Sequence, residues 1–309
     1  MEASISHFLP KGGTELQVEG LYQHLPQSLL CNVHISAGVP KNSARHLKPF
    51  ILWEHQSYDQ PSVQGLFQEN IQNVIDHFVF VSQWQRSQYL KHFQIPAEKT
   101  SVIRNATEPI PSQIKKQGPL KLIYTSTPFR GLDVLLDAFT LLNRNDVELH
   151  IYSGMSLYGR AHEDDRFEPL YKRAQDMENV FYHGVVSNEQ VRTAVSEAHI
   201  FAYSCTWEET SCLSLIEALS AGCLAVVPEL GALPETASGF ARLYSYTDDK
   251  QEHAIFFAQE LLHAIDSFWD TETQDRLQEQ KQFFNTEFSW ETRKGEWEKL
   301  LTGIIKNHG

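Results

Sequence analysis

The sequence contains two glutamates eight residues apart, Glu209 and Glu217, whose carboxylates could bind a ligand. Glu209 lies in a polar turn after an apolar run, and Glu217 lies in a helical pattern that follows the turn. The start of this helix offers backbone N–H groups to an anion. If Glu209 opens the helix, both carboxylates face the same side. Donors for a diphosphate and carboxylates for sugar hydroxyls together suit a nucleotide sugar. The N–H groups belong to Ser211, Cys212 and Leu213.

The elements that would position these glutamates form one βαβ unit. The apolar run Ala198 to Tyr203 predicts a strand, and Leu224 to Val227 predicts a second strand. Between them, apolar residues from Leu213 to Ser220 recur at helical spacing, and Gly222 provides a left-handed cap. Such units build parallel sheets. Because ligands bind such sheets at the carboxyl ends of the strands, the turn with Glu209 is well placed for a ligand.

A second strand–turn–helix precedes this unit and supplies a cation. A strand over Leu120 to Tyr124 leads into a turn with Thr127 and Arg130, and a helix follows over Leu132 to Leu142. The planar guanidinium of Arg130 can donate two hydrogen bonds to a phosphate. A stretch rich in proline and lysine, residues 108–119, predicts a linker before the strand.

The first part of the chain carries weaker signals. Gly12 and Gly13 precede a helical pattern, where a backbone without side chains can approach a phosphate, and an ordinary turn is the alternative. Strands are predicted over Leu29 to Ile35 and over Phe50 to Trp53, and His55 follows the second strand directly. We therefore expect His55 to lie at the end of a central strand.

Composition limits the classes of function. The chain has 309 residues, 41% of them hydrophobic and 21% charged, which is typical of globular proteins and sufficient for two domains. A net charge of −13 argues against a nucleic-acid partner. There is no apolar run of roughly 20 residues, and the stretch MEASISHFLPKGG has no features of a secretion signal. The four cysteines lack C-x-x-C spacing, which favours buried thiols over disulfides or a metal site.

We therefore expect a cytoplasmic protein without a bound metal. The nearly neutral first part of the chain leaves open a weak peripheral contact with the inner face of a membrane. No basic amphipathic helix indicates such a contact.

The spacing E-x7-E, followed by the residues ALSAG and a short strand, resembles the donor site of retaining GT-B glycosyltransferases, in particular glycosyltransferase family 4. The resemblance covers most of residues 50–300. It implies an α/β fold of two Rossmann-like domains facing across a cleft, with a reduced first domain over residues 1–110. The second domain, residues 118–287, would bind the nucleotide sugar. A last helix, about residues 288–309, would cross back to the first domain.

The resemblance also implies roles for individual residues. Glu209 would hold the donor sugar, Glu217 the nucleotide ribose, and His55 would lie near the reacting sugar. Arg130 with Gly131 occupies the place of a lysine-glycine or arginine-glycine pair that contacts the diphosphate. The acceptor hydroxyl would attack from the front face, with the leaving phosphate as base.

Other positions follow from the same resemblance. The glycine pair Gly12-Gly13 would lie against the diphosphate, and the turns with Gly154 and Val185 would lie along the nucleotide. The sequence departs from the family at Thr125, where an arginine is usual. This departure leaves one cation where the family typically has two.

The function that the resemblance implies is transfer of a sugar from a nucleotide diphosphate sugar to an acceptor hydroxyl with retention. No metal or other cofactor is expected, and the acceptor would be a glycan, a lipid-linked molecule or a small molecule in glycan or polysaccharide biosynthesis. One alternative is a non-catalytic nucleotide-sugar-binding subunit of a glycan-assembly complex, which the loss at Thr125 motivates. Others are a nucleotide-sugar epimerase or a glycan phosphorylase of the same fold.

Overall fold

The computed structural model describes residues 11–43, 48–110, 113–156 and 160–308, so the N-terminal stretch without signal-like features lies almost entirely outside the described residues. The strands of these residues are all paired in parallel. They are β1 (His34–Ser36), β2 (Phe50–Glu54), β3 (His77–Phe80), β4 (Thr100–Val102), β5 (Leu120–Thr125), β6 (Val147–Tyr152), β7 (Val180–Tyr182), β8 (Ile200–Ala202), β9 (Leu224–Pro228) and β10 (Arg242–Tyr244).

The α-helices of the described residues alternate with these strands, and three consecutive helices follow the last strand. They are α1 (Gly13–His24), α2 (Gln27–Leu30), α3 (Glu69–Gln72), α4 (Gln83–Phe93), α5 (Leu132–Leu142), α6 (Glu168–Asp176), α7 (Asn188–Glu197), α8 (Leu213–Ser220), α9 (Leu233–Ala237), α10 (Lys250–Asp266), α11 (Thr271–Glu287) and α12 (Trp290–His308). The alternation gives the α/β fold that the sequence predicted.

By contacts, the described residues divide into two units. The N-terminal unit comprises residues 13–108, 208–213 and 286–308. The C-terminal unit comprises residues 11–12, 109–207 and 214–285. The segment 208–213, which the sequence had assigned to the C-terminal domain, thus groups with the N-terminal unit.

The N-terminal unit is built on a sheet in the order β1-β2-β3-β4. Side chains alternate along β2, so that Ile51 and Trp53 join one core cluster and Phe50 and Leu52 join another. All five residues of β2 are buried, as is expected for a strand covered on both faces. Three side chains of α12 complete the first cluster: Trp290, Trp297 and Leu301.

The C-terminal unit is built on a sheet in the order β10-β9-β8-β5-β6-β7. Strand β5 pairs with β6 on one side and with β8 on the other, so the strand order reverses at β5. Helix α5 packs against α10, and it buries most of its apolar residues. Ligands of open α/β sheets bind where the order reverses, so a site is expected at the carboxyl ends of β5 and β8.

One predicted strand is shorter than expected. The apolar run Leu29 to Ile35 is not a single strand, because its first two residues belong to the helical turn α2. Pro26 precedes that turn with extended dihedral angles, and the Cys31 N–H donates to the Gln27 carbonyl at 2.9 Å. Only the end of the run enters β1, whose residue His34 pairs with Phe50.

No helix within the described residues is long and apolar enough to cross a membrane.

Candidate functional site

The two loops at the point where the strand order reverses lie in direct contact. One loop follows β5 and ends at Gly131, and the other follows β8 and contains Ser204. Gly131 has a φ of +96°, and a Cβ built on it would lie 2.0 Å from the Ser204 carbonyl oxygen. The Ser204 hydroxyl donates to the Gly131 carbonyl at 2.6 Å. Only glycine fits this approach, so Gly131 fixes the loop that carries Arg130.

Arg130 and Thr127 lie in this loop as the sequence predicted. Residues Pro128–Arg130 form a 3₁₀ turn, and the Arg130 guanidinium carbon lies 5.6 Å from the Phe129 ring centroid. The Thr127 hydroxyl is buried and has no hydrogen-bond partner among the described residues. Buried hydroxyls normally have a partner, so Thr127 is suited to a ligand or water.

Thr125, the residue that replaces the usual arginine, ends strand β5. Its carbonyl accepts a hydrogen bond of 2.9 Å from the Ser214 hydroxyl at the start of α8. The Thr125 side chain is largely buried. This position therefore ties β5 to α8 and supplies no positive charge.

Gly154 and Val185, predicted from two separate turns, lie side by side after β6 and β7. A Cβ on Gly154 would lie 2.5 Å from a methyl group of Val185. The Ser153 N–H donates to the Gly184 carbonyl at 3.0 Å, which joins the two turns. The Ser153 hydroxyl is buried without a partner among the described residues. Sequence reasoning missed Ser153, although its position directly after β6 was a usable signal.

Glu217 lies on α8 and forms an ion pair that the sequence did not predict. Its carboxylate oxygen Oε1 lies 2.8 Å from Nη1 of Arg192 on α7. Burial raises the pKa of Glu217, and the Arg192 charge opposes that rise. The prediction that Glu209 opens the same helix is wrong, because α8 begins at Leu213. The argument that Glu209 and Glu217 share one helix face therefore does not apply.

The segment 208–213 is held within the N-terminal unit by three side-chain hydrogen bonds. The Thr210 hydroxyl donates to the His55 carbonyl at 2.7 Å, and the Asn105 amide donates to the Ser211 carbonyl at 3.4 Å. The Tyr58 hydroxyl donates to a Glu208 carboxylate oxygen at 3.4 Å. Because these hydrogen bonds hold residues 208–213 in the N-terminal unit, the turn with Glu209 does not become part of α8. They also bring buried Glu209 and His55, two predicted catalytic residues, into one unit.

His55 directly follows β2, as the sequence predicted. Its imidazole lies 4.5 Å from the Trp53 ring between centroids. The Nε2 atom is buried and has no hydrogen-bond partner within the described ranges. Burial lowers the pKa of His55 to about 3, so the imidazole is neutral at physiological pH.

Glu54, which sequence reasoning missed, holds the turn of His55. The buried Oε1 atom accepts backbone N–H groups from His55 at 3.0 Å and from Gln56 at 2.9 Å. Burial raises the pKa of Glu54 to about 7, against the effect of these two donors. A side-chain amide on α4, Gln85, donates to the carbonyls of Glu54 and Gln56 at 3.2 and 2.9 Å. A charged residue at the end of the apolar run FILWE was the signal for this site.

The predicted glycine pair lies where the chain passes from one unit to the other. Gly13 begins α1, and a Cβ built on it would lie 3.9 Å from the Leu213 side chain, the first residue of α8. Gly12 groups with the C-terminal unit, where its neighbour Lys11 exchanges two backbone hydrogen bonds with the Asn188 side chain, at 2.8 and 3.1 Å. Gly13 thus approaches the predicted anion-binding helix start.

A metal-binding group of three or more His, Cys, Asp or Glu side chains is absent from the part of the chain that the structure describes. The four cysteines, Cys31, Cys205, Cys212 and Cys223, are free thiols.

Several solved structures have a similar fold. A glycosyltransferase from Rickettsia africae ESF-5 is 13% identical, with a TM-score of 0.70 over 96% of this chain and 81% of that chain. Sucrose-phosphate synthase from Thermosynechococcus elongatus is 18% identical, with a TM-score of 0.65 over 84% and 69%. HepE from Anabaena, in complex with UDP and glucose, is 14% identical, with a TM-score of 0.66 over 83% and 72%. These likenesses confirm the predicted α/β fold of GT-B type.

Sequence comparison adds a match to one family model. No curated protein sequence matches the chain. Residues 121–263, which contain Arg130, Glu209 and Glu217, match the family model of the glycosyl transferases group 1. This match confirms the predicted resemblance to the group 1 glycosyl transferases over residues 121–263.

Proposed function

We propose that the protein transfers a sugar from a nucleotide diphosphate sugar to an acceptor hydroxyl, with retention and without a metal. The observation that carries this proposal is the set of polar groups at the carboxyl ends of β5 and β6 in the C-terminal unit. Arg130 and Thr127 lie in the turn after β5, and Ser153 directly follows β6. The hydroxyls of Thr127 and Ser153 are buried and have no partner among the described residues. Such hydroxyls, with a guanidinium on the same edge of the sheet, suit the phosphates and hydroxyls of a nucleotide.

The residues of the C-terminal unit would bind the nucleotide. Arg130 would offset the charge that develops on the leaving diphosphate, together with backbone N–H groups near Leu213 at the start of α8. Glu217 would accept hydrogen bonds from the ribose hydroxyls. The adjoining turns with Gly154 and Val185 would lie along the base.

The residues of the N-terminal unit would orient the sugar. Glu209 would accept hydrogen bonds from sugar hydroxyls, and neutral His55 would hydrogen-bond the sugar near the reacting carbon. A pKa of about 3 excludes His55 as a general acid or base near neutral pH. Reaction would then break the bond from the anomeric carbon to the phosphate and form a bond to the acceptor oxygen on the same face. The leaving diphosphate would take the acceptor proton.

A second candidate is a subunit that binds the nucleotide sugar without turnover. It is favoured by Thr125, which is uncharged and anchored to Ser214 at the position where the family has a cation. A single cation would bind the diphosphate of the ground state and stabilise its developing charge less well. In either case we propose a cytoplasmic location, a glycan, lipid-linked or small-molecule acceptor, and only weak contact with a membrane surface.

Nucleotide release from a panel of donors tests the proposal. The panel holds UDP-, GDP-, ADP- and dTDP-sugars, and UDP-glucose is the first choice because Anabaena HepE is known in complex with it. Slow release without acceptor is expected from one donor, before and after treatment with EDTA. Glu209→Ala should reduce this release by about 100-fold or more, because a group that orients the reacting sugar is lost.

The matched control is Glu272→Ala on α11, where the side chain is exposed and release should be unchanged. Saturable binding without release, also in extracts rich in acceptors, would replace the transferase with the binding subunit. Loss of release on removal of metal would contradict metal independence. The stereochemistry of the product, followed by NMR, decides between retention and inversion.

A further inference from the structure

An ion pair between Arg192 and Glu217 joins helices α7 and α8 of the C-terminal unit. Nη1 of Arg192 lies 2.8 Å from Oε1 of Glu217, and the side chains are only 26% and 13% exposed. A buried carboxylate is costly without a charged partner, and the loss of one partner leaves the other unpaired. Arg192 is therefore the charged partner that offsets the cost of burying the Glu217 carboxylate.

The position of Arg192 is tied to the turn that carries Val185. Helix α7 begins two residues after that turn with a capping box. The Ser187 side chain accepts from the Gln190 N–H at 3.3 Å, and the Gln190 side chain accepts from the Ser187 N–H at 3.1 Å. Arg192 follows on the next turn of the helix. Helix α7 thus begins next to the turn with Val185, which is predicted to lie along the base. The same helix carries Arg192, the partner of Glu217, which is predicted to bind the ribose.

The geometry leaves Glu217 able to bind a further group. A carboxylate has about four acceptor positions, and a single N–H of Arg192 on Oε1 occupies one of them. The guanidinium is planar, so it also restricts the plane in which the carboxylate lies. A second nitrogen, Nη2, is directed to the Pro109 carbonyl at 3.4 Å, which anchors the arginine on the linker side. An anchored arginine holds the carboxylate in one orientation.

We propose that Arg192 is a positioning residue of the nucleotide site, which orients Glu217 towards the ribose and so determines preference for a ribonucleotide over its 2′-deoxy analogue. This inference rests on the proposed function, in which Glu217 accepts the ribose hydroxyls. A site built to accept a hydroxyl proton discriminates against the analogue that lacks it, because its acceptor is left unpaired. Charge on Glu217 makes that hydrogen bond stronger.

Burial and charge support the same role. Burial raises the pKa of Glu217, and Arg192 is the charged group that lowers it again, through both its charge and its hydrogen bond. Without Arg192 the carboxyl would bind a proton more readily and would lose part of its acceptor capacity. A neutral glutamine at position 192 should therefore weaken ribose recognition even though it does not touch the nucleotide.

The test is calorimetric binding of UDP and 2′-deoxy-UDP to the full chain. Wild type should bind UDP about tenfold more tightly, as expected for one hydrogen bond to a charged group. Arg192→Gln and Glu217→Gln should each bring the ratio of the two dissociation constants close to one, mainly through weaker UDP binding. Arg192→Lys keeps the charge and should restore part of the ratio. If UDP does not bind, ADP or GDP is compared with its own 2′-deoxy form.

The control is Arg173→Gln, which removes an exposed ion pair of similar length, 2.7 Å to Asp137. It should leave the ratio unchanged. Equal weakening of both nucleotides in Arg192→Gln would mean a purely structural arginine and would overturn the inference. A ratio that survives in Glu217→Gln would overturn it as well, since Arg192 would then act without Glu217. Binding of no nucleotide by wild type would remove the proposed donor site together with the inference. Binding of dTDP alone would overturn the inference and, like the previous outcomes, leave the donor site intact.

Discussion

At the scale of single residues, burial shifts the pKa values of two neighbouring groups in opposite directions. Glu54 and His55 follow one another at the end of β2, and burial raises the pKa of the first to about 7 and lowers that of the second to about 3. The same physical cause acts in opposite directions, because it disfavours the charged form in both. The turn therefore presents a neutral imidazole to its surroundings while a buried carboxyl holds the backbone beneath it.

Glu54→Gln should become more stable relative to wild type as the pH rises. The folded-state pKa of about 7 exceeds the ordinary value of 4.5, so the folded protein binds this proton more tightly than the unfolded chain. That contribution to stability is complete below pH 4.5 and is lost as the pH rises through 7. At 1.36 kcal/mol per unit, the gain of the variant over wild type between these values is about 3 kcal/mol.

Urea denaturation of both proteins at intervals between pH 4.5 and 8 measures this difference. Titration of all other groups cancels in the comparison, and Glu69→Gln on α3, an exposed glutamate, should show no such trend. A difference that is constant with pH would mean that Glu54 is ionised throughout.

At the scale of elements, loops at the carboxyl ends of the strands are positioned by close approaches at glycines. Gly131 and Gly154 each lie where an added Cβ would enter a neighbouring loop, at 2.0 and 2.5 Å. The helices behind the loops, by contrast, follow from periodicity, and α5 spans the residues that its pattern predicts, Leu132–Leu142. Periodicity is a local property, whereas the close approach of two loops depends on residues far apart in sequence.

Gly131→Ala should destabilise the protein by about 2–5 kcal/mol. A left-handed alanine costs about 1–2 kcal/mol, and overlap with the Ser204 carbonyl adds about 1–3 kcal/mol. Gly239→Ala is the matched control, since its φ of +80° is similar but nothing lies within 4 Å of the added Cβ. The control should lose only about 1–2 kcal/mol. Equal losses in urea denaturation would show that strain of the backbone, and not the approach of the loops, makes glycine necessary.

At the scale of the whole molecule, the chain builds its two units from discontinuous segments. The last helix, α12, belongs to the N-terminal unit, where Trp290 and Trp297 pack with the residues of β2 and β3. A Cβ on Gly20 of α1 would lie 2.1 Å from the Trp290 ring, so the absence of a side chain lets α1 and α12 pack closely. The first and the last α-helix of the described residues therefore share one core.

Trp297→Ala should destabilise the N-terminal unit selectively, by about 3–5 kcal/mol, because it leaves a cavity in a fully buried cluster. Hydrogen exchange should accelerate at β2 and β3 and stay unchanged at β5 and β6, which belong to the other sheet. Trp269→Ala, at a side chain of the C-terminal unit that is 39% exposed, is the control and should leave exchange at β2 and β3 unchanged. Equal acceleration in both sheets would show that the two units unfold as one.

The sequence by itself determined most of the elements, the fold class and the resemblance to a family. The periodicity of strands and helices is encoded in neighbouring residues, which is why β5, β6, α5 and the βαβ unit with Glu217 could be predicted. The sequence also predicted that Arg130, Thr127, Gly154 and Val185 lie in turns that follow strands. Parallel sheets bring such turns to one edge whatever the details of packing.

Only the tertiary structure decided which side chains meet. Thr210 holds the carbonyl of His55 across 155 positions, and Arg192 pairs with Glu217 across 25. No local pattern encodes these partners, because each bond depends on how separate elements pack. For the same reason the segment with Glu209 was assigned to the helix that follows it in sequence. Its hydrogen bonds lie in the N-terminal unit, and they outweigh the weak helical tendency of a short polar turn.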